Sequence, residues 1–278
     1  FVDLKNQGFN IIPSEEFSID TRVAENDVVI IFNRETKIEK LGVDADLDQF
    51  FVRVPINLQQ IYNTATDIAN LQQEFRFLER QTMNLIASFS EIDSSKLPPL
   101  SGLEFEYGTA THWVKSDVER KVGEMLSVYV PMFQVDGSNN FNRVFFQSQL
   151  RQKLYDGMII PGREEYKDLD ITFSYLDFWP FYFDLNCNGE ICKPESVSSN
   201  LLSFAGSLMG IQRYNFAYDI SFPVLVEIYE PGALNDRGYK FNFFLEANVR
   251  NNRQLPTEFR PLESSYIPQL SSLCDLGN

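Results

Sequence analysis

The residues best suited to chemistry stand together in Asp184–Glu195, "DLNCNGEICKPE". Oxygen-bearing side chains fall at the first, third and fifth positions, glycine at the sixth and glutamate at the twelfth. That is the ligand spacing of an EF-hand-type calcium loop, in which the chain turns sharply at the glycine and the next residue offers its carbonyl. Asp184, Asn186, Asn188, the Glu190 carbonyl and Glu195 are therefore candidate calcium ligands, with Gly189 at the turn and Ile191 at the usual aliphatic position. Three features weigh against tight binding. The preceding "FWPFYF" reads as a strand, Pro194 sits just before the last ligand, and only two of the side-chain ligands are charged. Affinity would then fall in the weak extracellular range of about 10⁻⁴ to 10⁻³ M.

The same segment carries Cys187 and Cys192. Asn188-Gly189 is itself a strong hairpin-turn signal, so the glycine needs no metal to explain it. The alternative reading is a hairpin closed by a Cys187–Cys192 disulfide, and the two readings are compatible. A thiolate zinc site would need two further ligands, and the chain offers one His and the distant Cys274. A structural disulfide would place the chain outside the reducing cytosol.

Other chemistries find little support. His112 is the sole histidine, so any Ser-His or Cys-His nucleophile must use it. No phosphate-cradling glycine loop and no GxSxG nucleophile elbow occurs. Glu164, Glu165, Asp168 and Asp170 read as a solvated acidic loop, and Asp44, Asp46 and Asp48 as a solvated turn. Paired carboxylates for glycoside hydrolysis stay open, because their separation is set by the fold.

Against 24 Lys and Arg stand 39 Asp and Glu, a formal charge of −15, which repels nucleic acid and anionic lipid heads. The 278 residues, 44% of them hydrophobic, can bury a sizeable core. The aromatic content of 14%, dominated by 25 Phe and 12 Tyr, favours sheet. No apolar run is long enough to span a bilayer. Because the chain opens on Phe1 without an initiator methionine, the expectation is either a signal or anchor segment upstream or a start inside a longer protein.

These residues must be positioned by elements with readable periods. "FSIDTRV" and "DVVIIF" predict a hairpin across "AEND", and "TKIEKL" with "QFFVRVP" a second one. After Pro55, Leu58, Ile61, Ala65, Ile68, Leu71, Phe75, Leu78, Leu85, Ile86 and Phe89 form one stripe of a long amphipathic helix from about Asn57 to Ser90. Asn57 and Gln60 would cap it. The stripe packs on a sheet or, in part, on a second copy. "KLPPLSGLEFEYG" is the candidate boundary between residues 1–97 and 98–278, which can also be one continuous domain. Ser116 and Glu119 predict a capping box, "SVYVPMFQV" a strand, "FNRVFFQSQLRQKLYDGM" a helix and "VSSNLLSFAGSLMGI" a short one. From Leu169 strands dominate, and the alternating aromatics of "YNFAYDISF" read as core, with a contact patch as the alternative. The expected fold is α+β: an N-terminal β-meander, the long helix, and a C-terminal antiparallel sheet rich in Phe and Tyr.

The order of "FVDLKNQGFNI", "IDTRVAENDVVIIF", "FFVRVPINLQQIYNTATDIANLQQEF", "YNFAYDISFPVLVEIYE" and "GYKFNFFLEANVRNN" resembles the membrane-anchored surface proteins of small-genome DPANN archaea. The resemblance covers most of the chain and rests on general pattern. It implies one N-terminal transmembrane anchor, an extracytoplasmic body, and a partner for Cys274 outside this chain. It implies no catalytic residues. The expected function is a non-enzymatic, cell-surface ectodomain, structural or adhesive, that binds itself or another envelope protein, with neither nucleic acid nor a cofactor beyond calcium. The alternatives are an extracellular, glycan-directed hydrolase and a peptide- or sugar-binding module.

Overall fold

The computed structural model describes residues 2–105, 110–163, 166–176, 178–179, 181–194 and 211–252. The segment 196–210, the C-terminal tail with Cys274, and Glu164, Glu165 and Glu195 lie outside them. The expected α+β fold is the one found. The chain divides into two compact units, residues 1–66 with 229–241 and residues 67–228 with 242–278. The Pro- and Gly-rich connector thus lies inside the second unit.

In the first unit a short helix α1 (Val2–Asn6) precedes strands β1 (Asn10–Pro13), β2 (Ser18–Val23), β3 (Val28–Lys40) and β4 (Val43–Val54). All pairings are antiparallel. β2 and β1 follow one another along one edge of β3, and β4 covers its other edge. The hairpin predicted from "FSIDTRV" and "DVVIIF" is β2–β3, in register from Ser18↔Asn33 to Val23↔Val28. The aspartates read as a solvated turn belong instead to β4. Alternation of Asp44, Asp46 and Asp48 with Val43, Ala45 and Leu47 is strand chemistry, and the turn is the Leu41-Gly42 pair before it.

Helix α2 (Leu58–Phe75) and helix α3 (Phe77–Phe89) replace the single expected helix. The break is Arg76, held in the left-handed region at φ 48°. Arginine is a good helix former, so no propensity signal marks it. What holds the break is Gln72: its Oε1 accepts from the Leu78 N–H at 3.2 Å, and its Nε2 donates to Glu79 at 2.8 Å. Helix α3 thereby gains a partner for one of its unpaired first-turn donors.

In the second unit, β5 (Gly102–Phe105), β6 (Trp113–Val114), helix α4 (Lys115–Tyr129), β7 (Gln134–Val135), helix α5 (Gln149–Asp156) and β8 (Ile159–Ile160) precede the strand-rich part. Two helical expectations change. "SVYVPMFQV" continues α4 and a 3₁₀ turn, Val130–Met132, before a strand of two residues. Met125, Leu126 and Val130 are buried together, a helical spacing that prevails over the local alternation. Only the later half of "FNRVFFQSQLRQKLYDGM" is helical; Ser148 caps α5 and Gly157 ends it.

The main sheet consists of β9 (Asp170–Ser174), β10 (Tyr182–Leu185), β13 (Tyr218–Glu230) and β14 (Tyr239–Val249). β14 lies on one edge of β13, and β9 and β10 share the other. β11 (Ile191–Cys192) pairs with β6, and β12 (Ile211–Tyr214) with β5. Every second residue of β13 is buried, among them Tyr218, Ile220, Phe222, Val224, Val226 and Ile228. Phe77 of α3 meets Phe133 and Phe173 with ring centroids 5.7 and 6.3 Å apart. Trp113 stands edge-on to Tyr214 and Phe216. The aromatics of "YNFAYDISF" are therefore core, and the contact-patch alternative is excluded by their burial.

Candidate functional site

Two features carry the chemistry that the sequence raises: the cysteine loop after β10 and the open sheet of the first unit.

In the loop, Cys187 and Cys192 are joined, with Cα atoms 5.0 Å apart. Gly189 turns the chain at φ +85°. Three of the predicted ligands, Asp184, Asn186 and Glu190, are engaged by the protein, and Glu195 lies outside the described residues. Asp184 accepts a hydrogen bond from the Lys115 ammonium, which holds its carboxyl below the ordinary carboxylate value. The Asn186 carbonyl oxygen accepts from the Ala217 N–H at 2.8 Å. The Glu190 carbonyl accepts from the Lys115 N–H at 2.8 Å, and its carboxylate from the Ser116 N–H at 2.9 Å. Hydrogen bonds from Ser116 pull the Glu190 carboxyl below its ordinary value. Asn188 stands beside the glycine. Among the described residues no group of three His, Cys, Asp or Glu is gathered for a metal ion.

The loop therefore acts on α4. Val114 occupies the cap position without a side-chain bond, so the Ser116–Glu119 capping box does not form. Glu190, a residue distant in sequence, supplies the missing acceptor, and its negative charge is favoured where the helix dipole is positive. β11 pairs with β6 directly before the helix. A cation entering the loop would have to displace Lys115 from Asp184.

His112 is exposed ahead of β6. Asp170 opens β9 and accepts from Asn139 at 2.6 Å. A hollow of about 390 Å³ beside α4 is lined by Glu119, Glu124, Tyr175 and Phe181. Its Glu124 is ion-paired with Arg120 at 2.5 Å.

The second feature is β1–β4. Across the strands Ile19, Phe32 and Phe50 share one row, and Thr21, Ile30 and Val52 the next. The Phe17 ring lies 5.5 Å from that of Phe32, extending the same apolar face. The opposite face carries a polar ladder, in which Asn33 donates to Ser18 at 3.2 Å and Gln49 to Asn33 at 2.9 Å, beside the Ile31–Phe51 pair, whose Phe51 is 67% exposed. An apolar sheet face is normally buried. Here Phe17 and Ile19 are each 61% exposed and Val52 60%.

A bulge changes the arrangement farther along. Between Asn33↔Gln49 and Thr36↔Leu47, β3 takes one residue more than β4. The Arg34 guanidinium and Glu35 carbonyl at the bulge bind Ser14. Beyond it, Val43, Ala45 and Leu47 share the face of Ile38 and Ile11, while Asp44, Asp46 and Asp48 continue the face of Phe50 and Val52. Near its base the sheet thus presents Ile19 and Val52 on one face and Phe51 on the other, and near its tip the apolar surface lies on the Phe51 face, where Val43 is 71% exposed. The signal was present in "VDADLDQFFVRV": the apolar alternation changes phase at Gln49-Phe50. Reading "DADLD" as a turn hid it.

Comparison with family models, curated proteins and solved structures finds no match. No described helix is long and apolar enough to cross a membrane.

Proposed function

We propose that this chain is a non-enzymatic, extracytoplasmic module of a cell envelope that assembles with further copies of itself through the β1–β4 sheet. The observation that carries this reading is the open apolar face of Phe17, Ile19, Ile30 and Val52. Burying one such side chain contributes about 1.5–3 kcal/mol, enough in sum to offset much of the cost of association. The surfaces on opposite sides of one sheet favour stacking, in which the base of one copy covers the tip of the next. Simple edge pairing is disfavoured, since a symmetric β4–β4 contact over residues 44–48 would set aspartate against aspartate. The disulfide supports an oxidising setting, and the charge of −15 supports solubility between contacts.

Sedimentation velocity from about 1 μM to about 100 μM, the range in which moderate interfaces associate, tests this reading. Wild-type protein is expected to show concentration-dependent association, and an Ile19→Lys/Val52→Lys variant to remain monomeric with an unchanged circular-dichroism spectrum. A monomer throughout removes self-assembly; capture of a different envelope protein by wild type but not by the variant would transfer the same surface to that partner.

A further inference from the structure

Within the second unit, the end of α3, the end of α4 and the start of α5 enclose an apolar cavity of about 350 Å³. Its walls include Phe89, Tyr129, Met132, Phe146, Leu154 and Met158. Volume and lining fall in the range of small-molecule sites, which are mostly apolar with few polar groups. Methionines at two wall positions allow the wall to adapt to an irregular chain. The wall near α5 is fixed: the Tyr155 hydroxyl donates to the Asn142 carbonyl at 2.8 Å and accepts from the Val144 N–H at 3.1 Å. Phe146 packs against the Tyr155 ring at 5.5 Å.

One charged side chain lines this cavity, Arg151, exposed on the first turns of α5. Among the described residues its guanidinium has no ion pair or hydrogen bond, although the chain carries 39 acidic residues. At the mouth Val128 is 60% and Leu150 49% exposed, so apolar rim and unpaired cation face solvent together. A second hollow of about 320 Å³ shares the wall of Phe89, Val128 and Tyr129 and ends at Lys96 and Lys121. Lys121 is bound to Asp117 at 2.8 Å, and Glu124, which also lines it, to Arg120.

We propose that this cavity binds the monocarboxylate of a single unbranched acyl chain, the chain lying among the aromatic and methionine side chains and the carboxylate paired with Arg151. One guanidinium without a supporting cluster of cations or backbone N–H groups matches one negative charge, and its planar fork suits a carboxylate. A longer chain has room to continue past Tyr129 toward Lys96. The site is independent of the β1–β4 surface.

Calorimetry and thermal melting with decanoate, decanol and decyltrimethylammonium, each below its micellar concentration, test the assignment on wild type, Arg151→Glu and Arg151→Lys. Decanoate is expected to bind with a dissociation constant below about 1 mM and decanol at least about tenfold more weakly, a difference of about 1.4 kcal/mol. Arg151→Glu is expected to lose decanoate binding while keeping its melting temperature, and Arg151→Lys to retain part of it. Equal binding of decanoate and decanol, or an Arg151→Glu variant that binds decanoate like wild type, would overturn the carboxylate assignment. No saturable binding by any of the three compounds would remove the site. A peptide with an aliphatic C-terminal residue that binds where decanoate does not would overturn the acyl-chain reading in favour of a peptide terminus.

Discussion

Leu41 is at odds with its backbone. The turn joining β3 and β4 puts Leu41 at φ 50° and Gly42 at φ 82°, the two left-handed residues of a tight hairpin. Glycine accepts this freely, whereas a leucine side chain crowds its own carbonyl and costs about 1–2 kcal/mol. The side chain recovers nothing by burial, being 97% exposed. Leu41→Asn should therefore raise the urea midpoint by an amount corresponding to about 1 kcal/mol. If the tip contacts a neighbouring copy, the same variant should also weaken association, so stability and self-association would move in opposite directions. Lys115 makes a second residue-scale test. Its ammonium and a calcium ion compete for Asp184, so any calcium-dependent rise in melting temperature at about 1–10 mM should be larger in Lys115→Met than in wild type. Equal response in both proteins would show that Asp184 takes no part in binding the ion.

Among the elements, the break between α2 and α3 depends most on a side-chain network. Gln72 and Glu79 are buried, and besides their mutual bond Glu79 accepts from the Asn248 N–H at 3.0 Å. Gln72→Ala would leave the Leu78 N–H and the Glu79 carboxylate short of partners. A loss of about 1–3 kcal/mol is expected in equilibrium unfolding, and a variant within about 0.5 kcal/mol of wild type would show that water or relaxation replaces the amide. This network illustrates what the sequence could not display. The apolar stripe from Leu58 to Phe89 was legible and does form helix, but Arg76 carries no local mark of a break, because its conformation is fixed by Gln72 and the packing around it. Likewise the Asn188-Gly189 turn and the cysteine spacing were readable, since both are local. The use of Glu190 as a cap for α4 was not, because the helix start is 74 residues away. "SVYVPMFQV" shows the converse error, a short alternation overruled by burial at helical spacing. β13 was legible because its strict alternation coincides with the face that the core covers.

At the scale of the whole molecule, stability responds to pH through a few carboxylates. Asp184, Glu190, Asp93 and Asp117 all have carboxyl groups held below their ordinary values, by Lys115, Ser116, Ser95 and Lys121 respectively as the leading causes. A lowered folded value means that the unfolded chain binds protons first. The stabilisation is therefore complete above the ordinary values, 4.5 for Glu190 and 3.8 for the aspartates, and is lost as the pH falls through the lowered folded values. Thermal melts between pH 7 and pH 2 should show a decline that begins near the ordinary carboxylate range and steepens below it. Relief of self-repulsion as the charge of −15 is titrated acts in the opposite direction. Lys115→Met should flatten the part of the decline that Asp184 contributes; an unchanged profile would assign that part elsewhere.

The first unit is written in two separated pieces, residues 1–66 and 229–241. During synthesis at roughly 5–20 residues per second, the early piece waits on the order of ten to thirty seconds for the late one. Glu230, which receives hydrogen bonds from the Asn57 backbone and amide, emerges only then. Throughout that interval the segment after β4, Pro55 and Asn57, is without the partners that Leu234 and Glu230 bring, so a nascent chain of this protein has reason to engage a holding chaperone before its last strands leave the ribosome.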